Sequence, residues 1–382
     1  MGNQVFCLER TLSTSTPLLA AASEEPTVAT EALVDAAKSS GNIEMVSYTD
    51  MPLDEDLYGF TIKAFLWGGF ALSAKEQFQN VRRNRTANIY SAFLLLYLNI
   101  GLQASLMYAT KHFVSSKAVW SMRGTYDTFE WHMYGKQEDH FIKTTYGFRR
   151  GLSQYFKPEN FATLDDDTKE NACCIPLSRP DFMGLILFIW TLTCVSEFRK
   201  SAELFENLVL SRQATDAAWV ELTLETSDEN GAEDVAYVRG LKRTSKIIIA
   251  LVILLPRVLI TSLLLWLGCR WLCATESFED LIMNGVALAF VKDLKDLLYI
   301  TLVSTADKRE LEITRCQLDA GNKKSRMTFW ISSKAFVWGG ISLAFVWAYI
   351  FHWQHVLPYY QWDVADVCED YLQSESRNPI LV

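Results

Sequence analysis

The 382-residue sequence predicts an all-α fold: a polytopic helical membrane protein with about five transmembrane helices, or six if residues 57–74 also span. Three observations lead there. Half of the residues are hydrophobic although 21% are charged, so the apolar ones are gathered into blocks. Several blocks reach the roughly 20 residues that a helix needs to cross hydrocarbon. Basic clusters between the blocks mark which connections stay in the cytosol. The formal net charge of -9 argues against a nucleic-acid partner, which would demand a basic face. The partner implied is the lipid bilayer.

Residues 1–50 are rich in Ser, Thr, Ala and Glu and poor in aromatics, a composition that cannot bury enough surface to order itself. They read as a disordered cytosolic tail. Residues 57–74 are short for a span and interrupted by Lys63, which suits an interfacial or short membrane helix. Their core KAFLWGG, residues 63–69, returns as KAFVWGG at residues 334–340. Either an internal repeat or local convergence accounts for it.

The basic run Arg82, Arg83, Arg85 precedes the first clear span, residues 88–110, and sets its start in the cytosol. Residues 111–180 then form a non-cytosolic loop or cap, rich in aromatics. The second span covers 181–198 and ends at Arg199 and Lys200. Residues 199–245 follow as a cytosolic helix, continued by a hairpin suggested by the alternation in WVELTLE and the turn-forming DENG. The third span, 247–269, carries Pro256, which removes a backbone donor and should kink the helix. The fourth, 281–303, is charged at its centre. The basic loop 304–328 places its far end in the cytosol. The fifth span, 329–353, leads to an acidic non-cytosolic tail, 354–382.

Arg257 in the third span and Lys292, Asp293, Lys295 and Asp296 in the fourth share one depth, so they form a candidate intramembrane charge cluster. Ionised groups at that depth must pair or meet water. Helical spacing lets Lys292 pair with Asp296 and leaves Asp293 for Arg257. Three cations against two carboxylates leave one positive charge in excess, which would favour an anion in any aqueous path there. A structural salt-bridge knot is the competing account of the same residues.

Residues 284–299, NGVALAFVKDLKDLLY, resemble a segment of uncharacterised multi-pass membrane proteins of dinoflagellate-type microalgae. The resemblance implies a shared arrangement of spans and brings no activity with it. The corresponding helix is more acidic there, and Lys292 and Lys295 depart from it.

Cys173, Cys174, Cys269, Cys273 and Cys368 all fall on the non-cytosolic side of this topology, where one or two disulfides are expected, with free thiols as the alternative. No zinc-ligand spacing is present and no cofactor is implied. The chain carries no motif that would seat a catalytic nucleophile, a catalytic zinc or a phosphate, so it is not expected to be an enzyme. Two classes remain. One is an ion channel or transporter subunit using the charge cluster, for which so few spans imply a homo-oligomer. The other is a non-transporting scaffold or receptor-like membrane protein.

Overall fold

The computed structural model describes residues 49–73, 79–210, 219–225, 235–275, 277–318 and 324–376. Nearly all of the expected tail, residues 1–48, lies outside them. Among the described residues, four helices are long and apolar enough to cross a membrane, Arg83–Met133, Pro180–Val209, Arg243–Cys273 and Phe336–Trp353; the expected charged span, 281–303, is not one of them, because its central charges lower its hydropathy.

Strand β1 (Thr49–Pro52) leads through a tight turn into helix α1 (Leu57–Ser73). Helix α2 (Gln79–Ala109) passes without a break, through a π-helical turn at Thr110–Ser115, into α3 (Ser116–Met133). The short hairpin β2 (Phe141–Lys143) and β3 (Arg149–Gly151) and helix α4 (Asp166–Cys173) follow. Helix α4 starts where the Asp165 side chain accepts from the Thr168 N–H, as an N-cap does. Proline at the first turn, which needs no donor there, opens α5 (Pro180–Leu204). Strands β4 (Val220–Glu225) and β5 (Val235–Leu241) come next.

Helix α6 (Arg243–Ile248) continues through a π-helical stretch, Ile249–Leu254, into α7 (Leu255–Cys273). Pro256 stands directly after that stretch, so the ladder widens where the ring removes a donor. Helix α8 (Phe278–Leu302) is capped by Ser277, whose hydroxyl accepts from the Asp280 N–H, with Glu279 and Asp280 in the first turn. Helix α9 (Thr305–Glu312) and strand β6 (Thr314–Leu318) follow. Helix α10 (Lys324–Ala348) runs on through a π-helical turn, and α11 (Asp363–Ser376) closes the described chain.

Two layers flank the bundle. On one side lies a four-stranded sheet in the order β1-β6-β5-β4, with β5 and β6 parallel and the outer pairs antiparallel. On the other, α3, β2, β3, α4 and α11 build a cap tied by the Cys173–Cys368 disulfide, 195 residues apart in sequence. The apolar core accordingly falls into two clusters, one under the cap and one against the sheet.

Several expectations need correction. Residues 304–328 are not a loop in their described part: α9 and β6 occupy it. The 354–382 segment is not a free tail, because α11 packs into the cap through Cys368 and Asp363. The hairpin at 220–241 forms, but it is half of a larger sheet whose other strands were read as tail and loop. Helix α1 does not lie open at an interface, because protein encloses it. Leu57, Tyr58, Ile62, Lys63 and Leu66 are buried inside protein. The two KAF-WGG segments live in unlike surroundings: Ala64 and Leu66 are buried in α1, whereas Phe336 and Val337 of α10 are exposed.

Candidate functional site

The charged residues converge where α1, α5, α7 and α8 meet. The chain descends from β1 in the sheet, turns at Asp54–Asp56, and returns along α1 to the sheet, where Gly69 lies against Val220 of β4. It is re-entrant in the sense that it enters the helix bundle and returns, and protein covers it. Asp56 holds the turn by accepting from the Gly59 N–H at 2.8 Å. Gly59 is obligatory there, since a Cβ would stand 1.9 Å from the Asp54 carbonyl oxygen. Lys63, buried one turn further on, donates to Asp307 at 2.8 Å and Glu310 at 3.2 Å and fastens α1 to α9.

Arg257 is the hub. Its Nη1 lies 2.9 Å from Asp54 Oδ2, and its Nη2 lies 3.1 Å from Asp56 Oδ2 and 3.0 Å from Glu197 Oε2. The Tyr58 ring covers the guanidinium at 5.2 Å. Lys295 completes the knot, 2.8 Å from Asp56 Oδ2 and 3.1 Å from Glu197 Oε2, with Asp296 Oδ1 at 3.5 Å. Arg257, Lys295, Asp56 and Glu197 are all buried, so each charge depends on its neighbours for solvation.

Arg257 lies midway along the apolar α6–α7 helix. Ile247, Leu251, Leu255, Leu259, Leu263 and Trp266 are exposed apolar residues at helical spacing, and Arg257 sits at the centre of that stripe on the opposite side. A second polar step lies nearby. Asn99 donates to Gln103, and Gln103 donates to the Val291 and Lys292 carbonyls of α8. Between them is a cavity of about 10 Å³, lined by Tyr58, Gln103, Glu197, Arg257, Thr261, Lys292 and Lys295 among others. That volume accommodates about one water.

The expected pairings are corrected by this arrangement. Asp293 does not meet Arg257; it pairs with Lys292 at 2.7 Å and is half exposed. Lys292 therefore does not need Asp296, which turns to Lys295. The charge balance reverses as well. Asp54, Asp56 and Glu197 join the five residues read from the sequence, giving three cations against five carboxylates, so no positive excess remains to attract an anion. Two signals pointed to these three acids: an acidic run immediately before an apolar helix, and a lone glutamate inside the second span.

The cap holds its own buried network, beyond the hydrocarbon-length half of the α2–α3 helix. Tyr126 and Tyr134 both donate to Asp363, at 2.7 and 3.0 Å. Arg150 Nη1 lies 3.2 Å from Glu130 Oε2, and the Gly151 N–H donates to Glu130 Oε1 at 3.0 Å. Burial pushes the Glu130 carboxyl up to about 8, against the pull of Arg150. Arg123 donates to the carbonyls of His355 and Val356, which fixes the chain beyond α10 to α3. Of the five cysteines expected on the non-cytosolic side, Cys173 and Cys368 are bridged, whereas Cys269 and Cys273, buried on α7, and Cys174 are outside any disulfide. Among the described residues no three His, Cys, Asp or Glu side chains are grouped to hold a metal.

No family model, no curated protein and no solved structure matches the chain.

Proposed function

We propose that this membrane protein is a non-transporting scaffold of receptor-like build, in which the intramembrane charges form a structural knot that locks the re-entrant β1–α1 segment into the helix bundle. The observation that carries the reading is the closure of the Arg257–Lys295–Asp54–Asp56–Glu197 network, with room beside it for about one water. Every buried charge there has an opposite partner within 3.1 Å, which is what a bilayer-depth cluster needs to be tolerated. The products of that locking are two rigid faces: a bridged, aromatic-rich cap and a four-stranded sheet. The disulfide favours an oxidising, non-cytosolic side for the cap. Lys242, Arg243, Lys308 and Arg309 on the sheet side favour the cytosol there.

A channel or transporter subunit is the second reading. It is favoured by the buried helix α1, whose N-terminal Tyr58 lines a water-sized polar cavity, an arrangement that ion-handling membrane proteins use. Flux from proteoliposomes holding the purified protein decides between them. The scaffold reading expects none for small anions or cations. Flux that Asp54→Asn abolishes or reselects would overturn it, because that change leaves Arg257 and Lys295 balanced by Asp56 and Glu197 and so spares the knot.

A further inference from the structure

Helix α8 presents outward Met283, Val286, Phe290, Asp293, Leu297 and Ile300, each well exposed. Their spacing alternates between three and four residues, the seven-residue repeat of a seam along which two helices pack. The comparable outward stripe of α6–α7 is entirely apolar and suits lipid. The seam on α8 differs at its centre, where the Asp293 carboxylate is 52% exposed and has one oxygen engaged by Lys292 at 2.7 Å. Half-exposed carboxylates are expensive against acyl chains and ordinarily face other protein.

We propose that this seam is the interface on which a second copy of the chain docks, α8 against α8, about a twofold axis along the membrane normal. The occupant follows from the charges. Two copies inserted with the same orientation bring identical residues to identical depth, so each Lys292–Asp293 pair meets its own duplicate. A cation and an anion on adjacent residues are self-complementary under that operation. Each Asp293 keeps an oxygen for the partner's Lys292, and the four groups neutralise one another away from lipid. A single polar residue in an otherwise apolar seam also fixes register, since sliding by a turn would leave the carboxylates facing apolar side chains. The inference rests on α8 lying across the bilayer, as the functional reading holds.

The test is site-directed crosslinking of the full chain in its membrane, with wild type as the background. Phe290→Cys should form a covalent dimer on mild oxidation, several-fold above Leu259→Cys, which is comparably exposed on the apolar stripe of α7. Adding Asp293→Lys should reduce that dimer several-fold, and the exchange Lys292→Asp with Asp293→Lys, which keeps the self-complementarity, should restore it. Equal crosslinking at 290 and 259 would overturn the proposal, whatever the folding of the charge variants. So would an undiminished dimer in folded Asp293→Lys. Labelling of Phe290→Cys by a membrane-impermeant maleimide would instead overturn the bilayer placement, and the seam with it.

Discussion

Replacing Arg257 by glutamine should destabilise the protein far more than replacing its most exposed acidic partner, Asp54. The wild-type side chain offers three charge-assisted contacts, at 2.9, 3.0 and 3.1 Å, from a position 1% exposed. Its loss leaves Lys295, with the half-exposed Lys200 at 3.8 Å from Glu197, against Asp54, Asp56 and Glu197. Removing one member of a buried ion cluster typically costs about 3–5 kcal/mol, because the abandoned charges stay desolvated. Asp54→Asn removes the most exposed of the three carboxylates, 17% exposed, and leaves two cations facing two anions. Its cost should be smaller, because that carboxylate is partly solvated and the remaining charges stay balanced. The assay is heating of the purified protein with a fluorogenic thiol reagent, which reads unfolding as the buried Cys194, Cys269 and Cys273 become reactive. A large drop in midpoint for Arg257→Gln with little change for Asp54→Asn is expected. Equal midpoints for the two variants would refute the reasoning, since they would mean that water already reaches and solvates the cluster.

Three further outcomes follow from the cap and the bundle. Cys368→Ser opens a link spanning 195 residues and should cost about 2–5 kcal/mol, read as faster proteolysis within residues 134–165 while the bundle stays resistant. Glu130 is raised from 4.5 to about 8 by burial, so its neutral form suits the fold. The stability that preference provides is complete below pH 4.5 and is lost as pH rises through about 8, where Glu130, facing Arg150 and Asp363, must ionise in place; Glu130→Gln should flatten that slope in a pH series of cap unfolding. At Gly268 a Cβ would fall 2.3 Å from Trp190 Nε1, so Gly268→Ala must part α5 from α7 and should cost about 1–3 kcal/mol in the same thermal assay.

The crossing helices were legible because hydrophobic length is a local property: an apolar run such as residues 247–269 states its own fate. The cluster was only half legible. Arg257 and Lys295 announced themselves as charges inside apolar runs, but their partners Asp54 and Asp56 lie some two hundred residues upstream, joined to them only by the tertiary fold. Asp293 looked like the natural partner of Arg257 by depth, yet helix α8 turns it outward, and depth along a helix says nothing of its rotation. Strands β1 and β6 escaped for a related reason. Each has only four or five residues and gains its hydrogen bonds from distant chain, so neither carries a period long enough to detect. Helix α1 was misjudged because its lysine looked like an interruption; Asp307 and Glu310 on α9 make that charge a fastening.

The re-entrant segment also has a consequence for the order of assembly. Its turn pairs with Arg257 and Lys295, and its strand β1 pairs with β6 at residues 314–318. None of these has been synthesised when residues 49–73 leave the ribosome. The oldest described stretch of the chain must therefore wait, with its acidic turn in water, until the bundle and the last strand of the sheet have been made. Cellular machinery handling the nascent chain meets α1 as an unplaced apolar helix for most of translation. The earliest described helix is among the last to reach its place.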